Sequence, residues 1–328
     1  MTTIQPPGDC TRALAAELSS HGIPLLVVGD RKGPSDFRLP GATFVPLSDQ
    51  ARLAFSLSRL LPLDHYSRKN LAYLLAMQRG ARCIYETDDD NTPAPHWKPR
   101  TLKARSHQHA GTGWINVYRM FSDELLWPRG FPLDAVKNSA MATCSNPEAD
   151  ARDMESPVQQ GLVDGAADVD AIWRMLFNKR IQFENRPSML LGRGAWCPFN
   201  SQNTWWWPPA YPLLYLPSYC SFRMTDIWRS FIAQRCLWEL DSGVVFHSSD
   251  MIQDRNAHDL LRDFGDEVAG HLHNQRIASL LSALSLPGSM HDSLLSCYEA
   301  LVRDGLFPTD ELDLVRAWLL DCSQLETP

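Results

Sequence analysis

Long apolar runs and an excess of basic residues are both missing from this chain. No apolar run reaches the roughly 18 residues that a helix needs to cross a bilayer, and the first ten residues do not have the pattern of a signal peptide. The 31 Lys and Arg residues are outnumbered by 38 Asp and Glu residues, which gives a net charge of -7. Because nucleic-acid binding needs a basic face, we expect no nucleic-acid partner and no membrane span in this chain.

Closely spaced cysteine pairs are also missing. The eight cysteines are scattered and include no C-x-x-C pair, which is the spacing typical of a zinc site. Free buried thiols are therefore favoured over a set of disulfides, although the spacing leaves the redox compartment open. An apolar share of 44% and a charged share of 21% are those of an ordinary globular protein.

The first ninety residues alternate strand patterns with helix patterns. The apolar segments "IPLLVVGD", "ATFVPL" and "ARCIYETDDD" predict strands, and a short strand is predicted at "TTIQPP". Helical spacing predicts helices over 10–20, 49–60 and 66–79. Such alternation predicts an α/β fold with a mostly parallel central sheet flanked by helices, and ligands beyond the carboxyl ends of the strands.

The remainder of the chain gives weaker signals until its helical end. Between residues 91 and 215, "GWINVYRM" and "SMLLG" predict short strands, and "DVDAIWRMLF" predicts a short helix or a turn. From Thr225 onward the spacing of apolar residues predicts helices to the end of the chain. The fold class is therefore α/β with a helical C-terminal part.

Three adjacent carboxylates, Asp88, Asp89 and Asp90, follow the third predicted strand. Side chains alternate along a strand, so Asp88 and Asp90 are expected on one side and Asp89 on the other. Two carboxylates at a strand end suit a hard divalent cation, Mg²⁺ or Mn²⁺. A solvated acidic turn, with Asp90 capping a helix, is the alternative.

Several motifs together resemble the STELLO family of glycosyltransferases. They are "VVGDRKGPSDF", "SRKNLAYLLAMQRGARCIYETDDDN", "WPRGFPL", "QQGLVDGAADVDAIWR", "CPFNSQNT", "FRMTDIWRSFIAQR" and "QDRNAHDLLRDF". The resemblance covers roughly residues 23 to 265 and leaves out the last sixty residues. The first part is also similar to the reversibly glycosylated polypeptides, which are UDP-sugar mutases.

The resemblance implies a GT-A fold, a nucleotide-sugar donor, probably a UDP-sugar, and an acidic metal motif of the D-x-D kind. It implies a glycosyltransferase domain over 1–265, with a nucleotide-binding half at 1–91 and a donor-sugar and acceptor half at 92–265. Residues 266–328 are then a helical extension. Plant STELLO proteins are Golgi membrane proteins linked to cellulose synthase assembly, a part of polysaccharide biosynthesis. This sequence does not include their long N-terminal membrane-anchored region, so we do not carry over their location and partner. The expected localisation stays open between the cytoplasm, for the chain as given, and the Golgi lumen, if it is part of a longer protein.

Carried onto this sequence, the fold implies which residues meet the nucleotide. They are Thr3, Gln5, Asp30, Arg31, Arg68, Lys69, Arg129, Asn203 and Arg255. Asp30 follows a glycine at a strand end and could accept a hydrogen bond from uracil or ribose, but it could equally form a turn. Arg68 and Lys69 could meet the diphosphate, or could lie on a solvated helix face. Arg129 could meet phosphate or the donor sugar, or could brace a loop by bonding its carbonyls.

The metal and the transfer step need further side chains. His258 is the candidate fourth metal residue beside the three aspartates, with a helix-surface histidine as the alternative. An inverting enzyme needs a carboxylate base, and the candidates are Asp226, Asp168 and Asp170. Asp226 could instead cap a helix, Asp170 could bind donor-sugar hydroxyls, and a retaining enzyme would need no base.

Amides beside aromatic rings suggest a carbohydrate partner. In "CPFNSQNTWWWPP", amide and hydroxyl groups precede Trp205, Trp206 and Trp207, and such groups can read sugar hydroxyls while rings stack on the sugar. Alternation sends Trp206 away from the other two, so at least one of them serves the core. The sequence predicts a metal-dependent glycosyltransferase acting on a glycan or other hydroxyl acceptor. A UDP-sugar mutase and a non-catalytic assembly factor are the alternatives.

Overall fold

The computed structural model describes residues 1–138, 151–254 and 259–326. The helices are α1 Asp9–Ser20, α2 Leu47–Gln50, α3 Lys69–Gln78, α4 Leu133–Asn138, α5 Ala171–Phe177, α6 Thr225–Leu237, α7 Leu260–Ser282, α8 Met290–Arg303 and α9 Asp310–Glu326. The strands are β1 Leu25–Val28, β2 Ala42–Val45, β3 Ile84–Thr87, β4 Asn91–Pro93, β5 Lys103–Gln108, β6 Gly113–Trp114, β7 Arg152–Glu155, β8 Val158–Gly165, β9 Ser188–Leu191, β10 Ala195–Trp196, β11 Asn203–Trp206 and β12 Val244–Gln253.

A mixed eight-stranded sheet forms the centre of the molecule. Its order is β3-β11-β8-β12-β9-β5-β7, and β4 pairs with β12. β8 is parallel to β12 and β5 is parallel to β9, whereas β11, β4 and β7 join their neighbours in antiparallel pairs. The predicted α/β class is therefore confirmed and is compatible with a GT-A-like architecture. The prediction of a mostly parallel sheet is wrong, because several strands of the 91–253 region insert in the opposite direction.

β12 is the long strand that the sequence prediction missed. It lies at residues 244–253, inside the region expected to be helical, and pairs with β8, β9 and β4. Its pairing with β8 shifts register between His247 and Met251. The polar residues Ser248, Ser249 and Asp250 fall in this irregular stretch, so they interrupt the apolar alternation from which a strand is predicted.

The N-terminal region is a smaller unit of the predicted strand–helix kind. β1 and β2 pair in parallel, and Thr2 forms a single bridge to Val28 in place of the strand predicted there. The helix expected over 49–60 is wrong, since α2 ends at Gln50. The next turns are held from elsewhere, because the carboxylate of Asp321 accepts hydrogen bonds from the amides of Ser56 and Leu57 at 2.8 and 2.9 Å.

The C-terminal helices pack directly against the rest of the fold. α6 is buried along its whole length, and α8 and α9 contribute buried residues such as Leu301, Val315 and Trp318 to the main core. The helical C-terminal part is confirmed, although β12 interrupts the helices that were predicted from Thr225 onward. The boundary expected between 265 and 266 falls inside α7, which is continuous from Leu260 to Ser282.

Cysteines and tryptophans follow the predicted pattern. The seven cysteines in the described part of the chain are all free, in agreement with the prediction, and Cys144 lies outside it. Trp206 packs in the main core, while Trp205 and Trp207 pack with Trp97 in a second apolar cluster, so the alternation is confirmed. No helix among residues 1–138, 151–254 and 259–326 is long and apolar enough to cross a membrane.

Candidate functional site

A cleft of about 1010 Å³ opens where several strands end. Its lining includes residues that directly follow β1, β3 and β8, among them Asp30, the Asp88–Asp90 triplet and Asp168. The last residue of β12, Gln253, also lines it. Carboxyl ends of strands are where α/β proteins generally bind ligands, and the cleft lies where the sequence pattern predicted a ligand.

The acidic triplet forms one wall of this cleft. Asp88, Asp89 and Asp90 occupy a turn between β3 and β4 rather than an extended strand, and all three line the cleft. The expectation that Asp89 turns away from the other two is therefore wrong, because side chains do not alternate in a turn. Asp89 accepts a hydrogen bond from the Thr3 hydroxyl, and Asp90 Oδ2 accepts one from Gln253 Nε2 at 2.9 Å.

Burial and the proximity of the three carboxyl groups disfavour ionisation of Asp89 and Asp90. Burial, reinforced by the charges of Asp88 and Asp89, raises the pKa of Asp90 from 3.8 to about 7. Burial also raises the pKa of Asp89, against the opposing effect of its hydrogen bond from Thr3. A positive charge placed here would relieve both effects, since an adjacent opposite charge favours the ionised carboxylate.

The residues of the triplet offer a cation oxygen ligands only. Asp90 Oδ1 is a buried oxygen that accepts no hydrogen bond from the described residues, and it is open to a ligand. In the same part of the chain, no group of three or more His, Cys, Asp and Glu side chains is arranged so that it could hold a metal. Carboxylate oxygens are what Mg²⁺ and Mn²⁺ prefer, so the donor chemistry fits a hard cation, with coordination to be completed by other groups.

A buried lysine forms an ion pair with the first aspartate of the triplet. Lys69 Nζ lies 2.9 Å from Asp88 Oδ1 and 3.8 Å from Glu86 Oε1. Glu86 is itself paired with Arg229 at 2.9 Å and accepts a hydrogen bond from Trp206 Nε1 at 3.1 Å. Lys69 is fully buried, so the structure places it as a counter-charge under the triplet rather than on the solvated helix face named as its alternative.

The opposite wall is built around one arginine. Arg129 binds Asp168 through Nε and Nη2, at 2.7 and 2.9 Å, and binds Asp226 through Nη1 and Nη2, both at 3.0 Å. Burial alone would raise the pKa of Asp168, but the charge and hydrogen bonds of Arg129, together with the charge of Arg223 and the hydrogen bond from Asn200, outweigh it and lower that pKa. Asp226 lies in the first turn of α6, but its side chain is held by Arg129 and not by the helix amides. Two of the three candidate bases are thus brought together.

Two chains of hydrogen bonds join these walls, and sequence reasoning missed both. In the first, the hydroxyl of Tyr66 lies 3.0 Å from Asp88 Oδ1 and contacts Ser201 Oγ, which lies 3.2 Å from Asp226 Oδ2, and the two hydroxyl protons are shared among these three contacts. Burial and the charge of Asp88 raise the pKa of Tyr66 well above its usual value, so it stays protonated. The polar "NSQN" motif was the only signal of this link.

The second chain runs through amides along the cleft floor. Gln253 donates to Asp90 and accepts from Gln202 Nε2 at 3.2 Å. Asn200 Nδ2 donates both to Gln202 Oε1, at 3.5 Å, and to Asp168 Oδ2, at 2.9 Å, and so continues the chain to the second wall. The motif "CPFNSQNT" was predicted to supply such amides, whereas Gln253, at the end of the unpredicted β12, was not.

The remaining predicted nucleotide residues divide between the cleft and the core. Gln5 lines the cleft, and so does Asp30, whose carboxylate accepts from the amides of Arg31 and His65 at 2.7 and 3.0 Å. This agrees with the turn-forming alternative for Asp30. The exposed Arg31 side chain binds Asp64, which also lines the cleft.

Other candidates lie away from the cleft. Arg68 is buried and held by Gln50 at 2.9 Å, and Asn203 lies in β11 with its amide on Asp250 at 2.6 Å. Asp170 caps α5 by accepting from the amide of Trp173 at 2.8 Å. Arg255 and His258 lie outside the described residues.

The fold and the cleft define a mixed α/β protein with an acidic cleft at its strand ends. The family model described as STELLO glycosyltransferases matches residues 223–327. "Probable glycosyltransferase STELLO1" of Arabidopsis thaliana is 28% identical over 339 aligned residues, and this alignment covers 95% of the chain. "Probable glycosyltransferase STELLO2" of the same plant is 27% identical over 338 residues, also covering 95% of the chain.

These matches confirm the resemblance to the STELLO family. They also correct its extent, because the family model reaches residue 327 and includes the sixty C-terminal residues that were expected to fall outside it. The chain spans only 42% and 43% of the length of the two Arabidopsis proteins.

Proposed function

We propose that this chain is a metal-dependent glycosyltransferase that takes a sugar from a nucleotide-sugar donor, a UDP-sugar, to a hydroxyl group of a glycan or similar acceptor. The observation that carries the proposal is the single cleft bordered by the acidic triplet on one wall and the Asp168–Arg129–Asp226 cluster on the other. The sequence similarity to proteins named as glycosyltransferases supports it.

In this proposal the triplet wall takes the diphosphate end of the donor. Asp88 and Asp90, with Asp89 beside them, would offer carboxylate oxygens to the divalent cation, and Lys69 holds Asp88 in place by an ion pair at 2.9 Å. The cation supplies charge stabilisation to the diphosphate as it leaves. Thr3 and Gln5 border the same end of the cleft, where a nucleoside would extend from the diphosphate.

The opposite wall takes the transferred sugar and the acceptor. Asp168, which Arg129 keeps ionised, suits hydrogen bonding to sugar hydroxyls, because a carboxylate can accept from two adjacent hydroxyls. Asp226 is the carboxylate proposed to take the acceptor's proton in an inverting reaction. It is oriented by Arg129 and by the hydroxyl of Ser201.

A thermal-shift screen tests the proposal. UDP with Mn²⁺ is expected to raise the melting temperature, whereas UDP alone gives little shift, because the uncompensated carboxylates repel the diphosphate. The double variant Asp88→Ala/Asp90→Ala should lose this shift. The matched control is Asp36→Ala/Asp313→Ala, which removes two exposed carboxylates that lie outside the cleft lining and should behave as wild type.

Donor turnover separates the alternatives. A transferase hydrolyses or transfers the donor sugar and releases UDP, a mutase converts one UDP-sugar into another without acceptor, and an assembly factor does neither. We favour catalysis because a scaffold gains nothing from three crowded carboxylates whose burial raises the pKa of Asp90 to about 7. Absence of any metal-dependent shift with a nucleoside diphosphate would contradict the proposal.

A further inference from the structure

We infer that the donor sugar is uncharged, and that the cleft discriminates against sugars that carry a carboxylate, such as uronic acids. This inference rests on the proposed function and adds the chemical class of the donor sugar. It follows from the charges that surround the space between the two walls, and from the groups that are left free to contact a sugar there.

Acidic groups dominate the lining of the cleft. Among the described residues that border it, ten carry carboxylates and four are Lys or Arg. Deep in the cleft, the carboxylates are the triplet together with Asp168 and Asp226. Even with a divalent cation bound, a diphosphate adds negative charge, so a further carboxylate on the sugar would need a cation of its own.

The basic side chains of the lining are already committed or lie at the rim. Arg129 is buried and shared by two carboxylates, and Arg223 binds Glu267 at 2.7 Å. Lys32 and Arg262 are exposed to solvent at the edge of the cleft. Lys69, beneath the triplet, is bound to Asp88. No described basic side chain is therefore placed inside to receive a sugar carboxylate.

The floor between the walls is neutral and rich in hydrogen-bonding groups. Gln253 and Gln202 line the cleft and connect Asp90 towards Asp168 through their amides. The nearby lining of Ala166, Ala167 and Val169 is small and apolar. Amides can donate to and accept from hydroxyl groups, and small apolar side chains leave room for a sugar ring. Neutral hydroxyls fit this surface, whereas a sugar carboxylate would meet neutral amide donors but no uncommitted cation among the described residues deep in the cleft.

Matched donor pairs test the inference. We would titrate UDP-glucose against UDP-glucuronate and UDP-galactose against UDP-galacturonate into the chain with Mn²⁺, with UDP alone as reference. Each pair differs only in a CH₂OH or a carboxylate at C6. The neutral member is expected to bind at least about tenfold more tightly, because the added charge is opposed at short range. Equal affinities within both pairs would overturn the inference. If UDP still bound in that experiment, the proposed function would stand. If UDP itself does not bind, both are overturned.

A single introduced cation shows whether charge is the cause. Ala166 is half-buried in the cleft lining, so Ala166→Lys places a flexible ammonium group inside, and Ala166→Gln is the control of similar length without charge. Ala166→Lys should reduce the preference for the neutral donor severalfold, and Ala166→Gln should not. A reduction of equal size in both variants would show that shape, not charge, sets the preference, and would overturn the electrostatic explanation.

Discussion

Among single residues, Tyr66 has the largest role that the sequence did not indicate. Its hydroxyl contacts Asp88, Lys69 and Ser201, and Ser201 leads to Asp226. It therefore fixes the geometry of the triplet relative to the opposite wall. It is a positioning residue in the proposed reaction, because it acts through Asp88 and Asp226.

Tyr66→Phe is expected to weaken binding of UDP with Mn²⁺ about fivefold to tenfold, which corresponds to roughly 1 kcal/mol for a lost hydrogen bond. Removing the hydroxyl leaves Asp88 with Lys69 and leaves the Ser201 hydroxyl bonded to Asp226 but no longer linked to Asp88. Calorimetric titration measures the affinity, and Tyr219→Phe, at a residue 44% exposed, is the control. Unchanged affinity in Tyr66→Phe would show that the chain through Ser201 does not organise the site.

Asp90 gives a prediction about pH. Its pKa rises from 3.8 to about 7 on folding, so the folded state binds the proton more tightly than the unfolded state. Its contribution to stability is full below about pH 4 and is lost as pH rises through about 7, where the buried carboxylate must ionise. The metal-free protein should thus lose part of its unfolding free energy across that window, and Asp90→Asn should flatten the loss.

Metal binding should show the opposite trend with pH. A proton on Asp90 competes with a divalent cation, so the Mn²⁺-dependent shift with UDP should grow as pH rises from about 5 to about 8. Thermal unfolding of wild type and Asp90→Asn at each pH measures both trends. A wild-type profile identical to that of Asp90→Asn would contradict the account of this residue.

Among the elements, α9 holds two loops in place by hydrogen bonds, and one of these loops lines the cleft. At its N-terminal end, Glu311 accepts hydrogen bonds from the amides of Ser218 and Tyr219, at 3.0 and 2.8 Å, and from the hydroxyl of Tyr215 at 2.5 Å. Ser218 lines the cleft and bonds Ser67 at 2.8 Å. Near the other end, Asp321 holds the 56–57 turn, so one helix fixes two loops of the N-terminal and central regions.

Glu311→Gln should destabilise the protein by about 1–3 kcal/mol, because an amide has one acceptor oxygen: with that oxygen on the two backbone amides, its NH₂ group replaces the oxygen that accepts from the Tyr215 hydroxyl. The loop at 218–219 should loosen, and affinity for UDP with Mn²⁺ should fall with it. Chemical denaturation and titration measure the two effects. Asp313→Asn, on an exposed face of the same helix, is the control. A Glu311→Gln variant as stable as that control would contradict the bracing role.

How much of the molecule the sequence could predict also depends on scale. Apolar runs such as "LLVV" and the periodic α6 and α7 segments gave correct elements, because burial on one or both faces leaves a local pattern. The 49–60 segment and β12 did not, since their conformations depend on Asp321, 265 residues from Ser56, and on a shift of register between strands. Such long-range causes leave no periodic signal.

The site was predictable where residues adjoin in sequence and unpredictable where they meet only in space. The triplet and the 200–203 amides stood out as motifs, but the pairing of Arg129 with both Asp168 and Asp226 spans 97 residues in its longer contact. The ion pair between the buried Lys69 and Asp88 likewise joins residues that lie 19 positions apart in different elements. Residue types were therefore foreseen more often than their partners.

At the scale of the whole molecule, the negative net charge and the acidic lining of the cleft have the same consequence for ligand binding. The chain carries a net charge of -7, and much acid is gathered around a cavity of about 1010 Å³. A phosphate-bearing ligand would be repelled from it unless a divalent cation bound with it. The proposed function therefore requires metal and nucleotide to bind together, each raising the affinity for the other.

Calorimetric titration of UDP into the chain, with and without Mn²⁺, tests this central claim most directly. The account predicts saturable binding with Mn²⁺, no measurable binding in its absence, and loss of the Mn²⁺-dependent signal in Asp88→Ala/Asp90→Ala but not in Asp36→Ala/Asp313→Ala. Equal binding of UDP with and without Mn²⁺, or undiminished binding by the triplet variant, would contradict it.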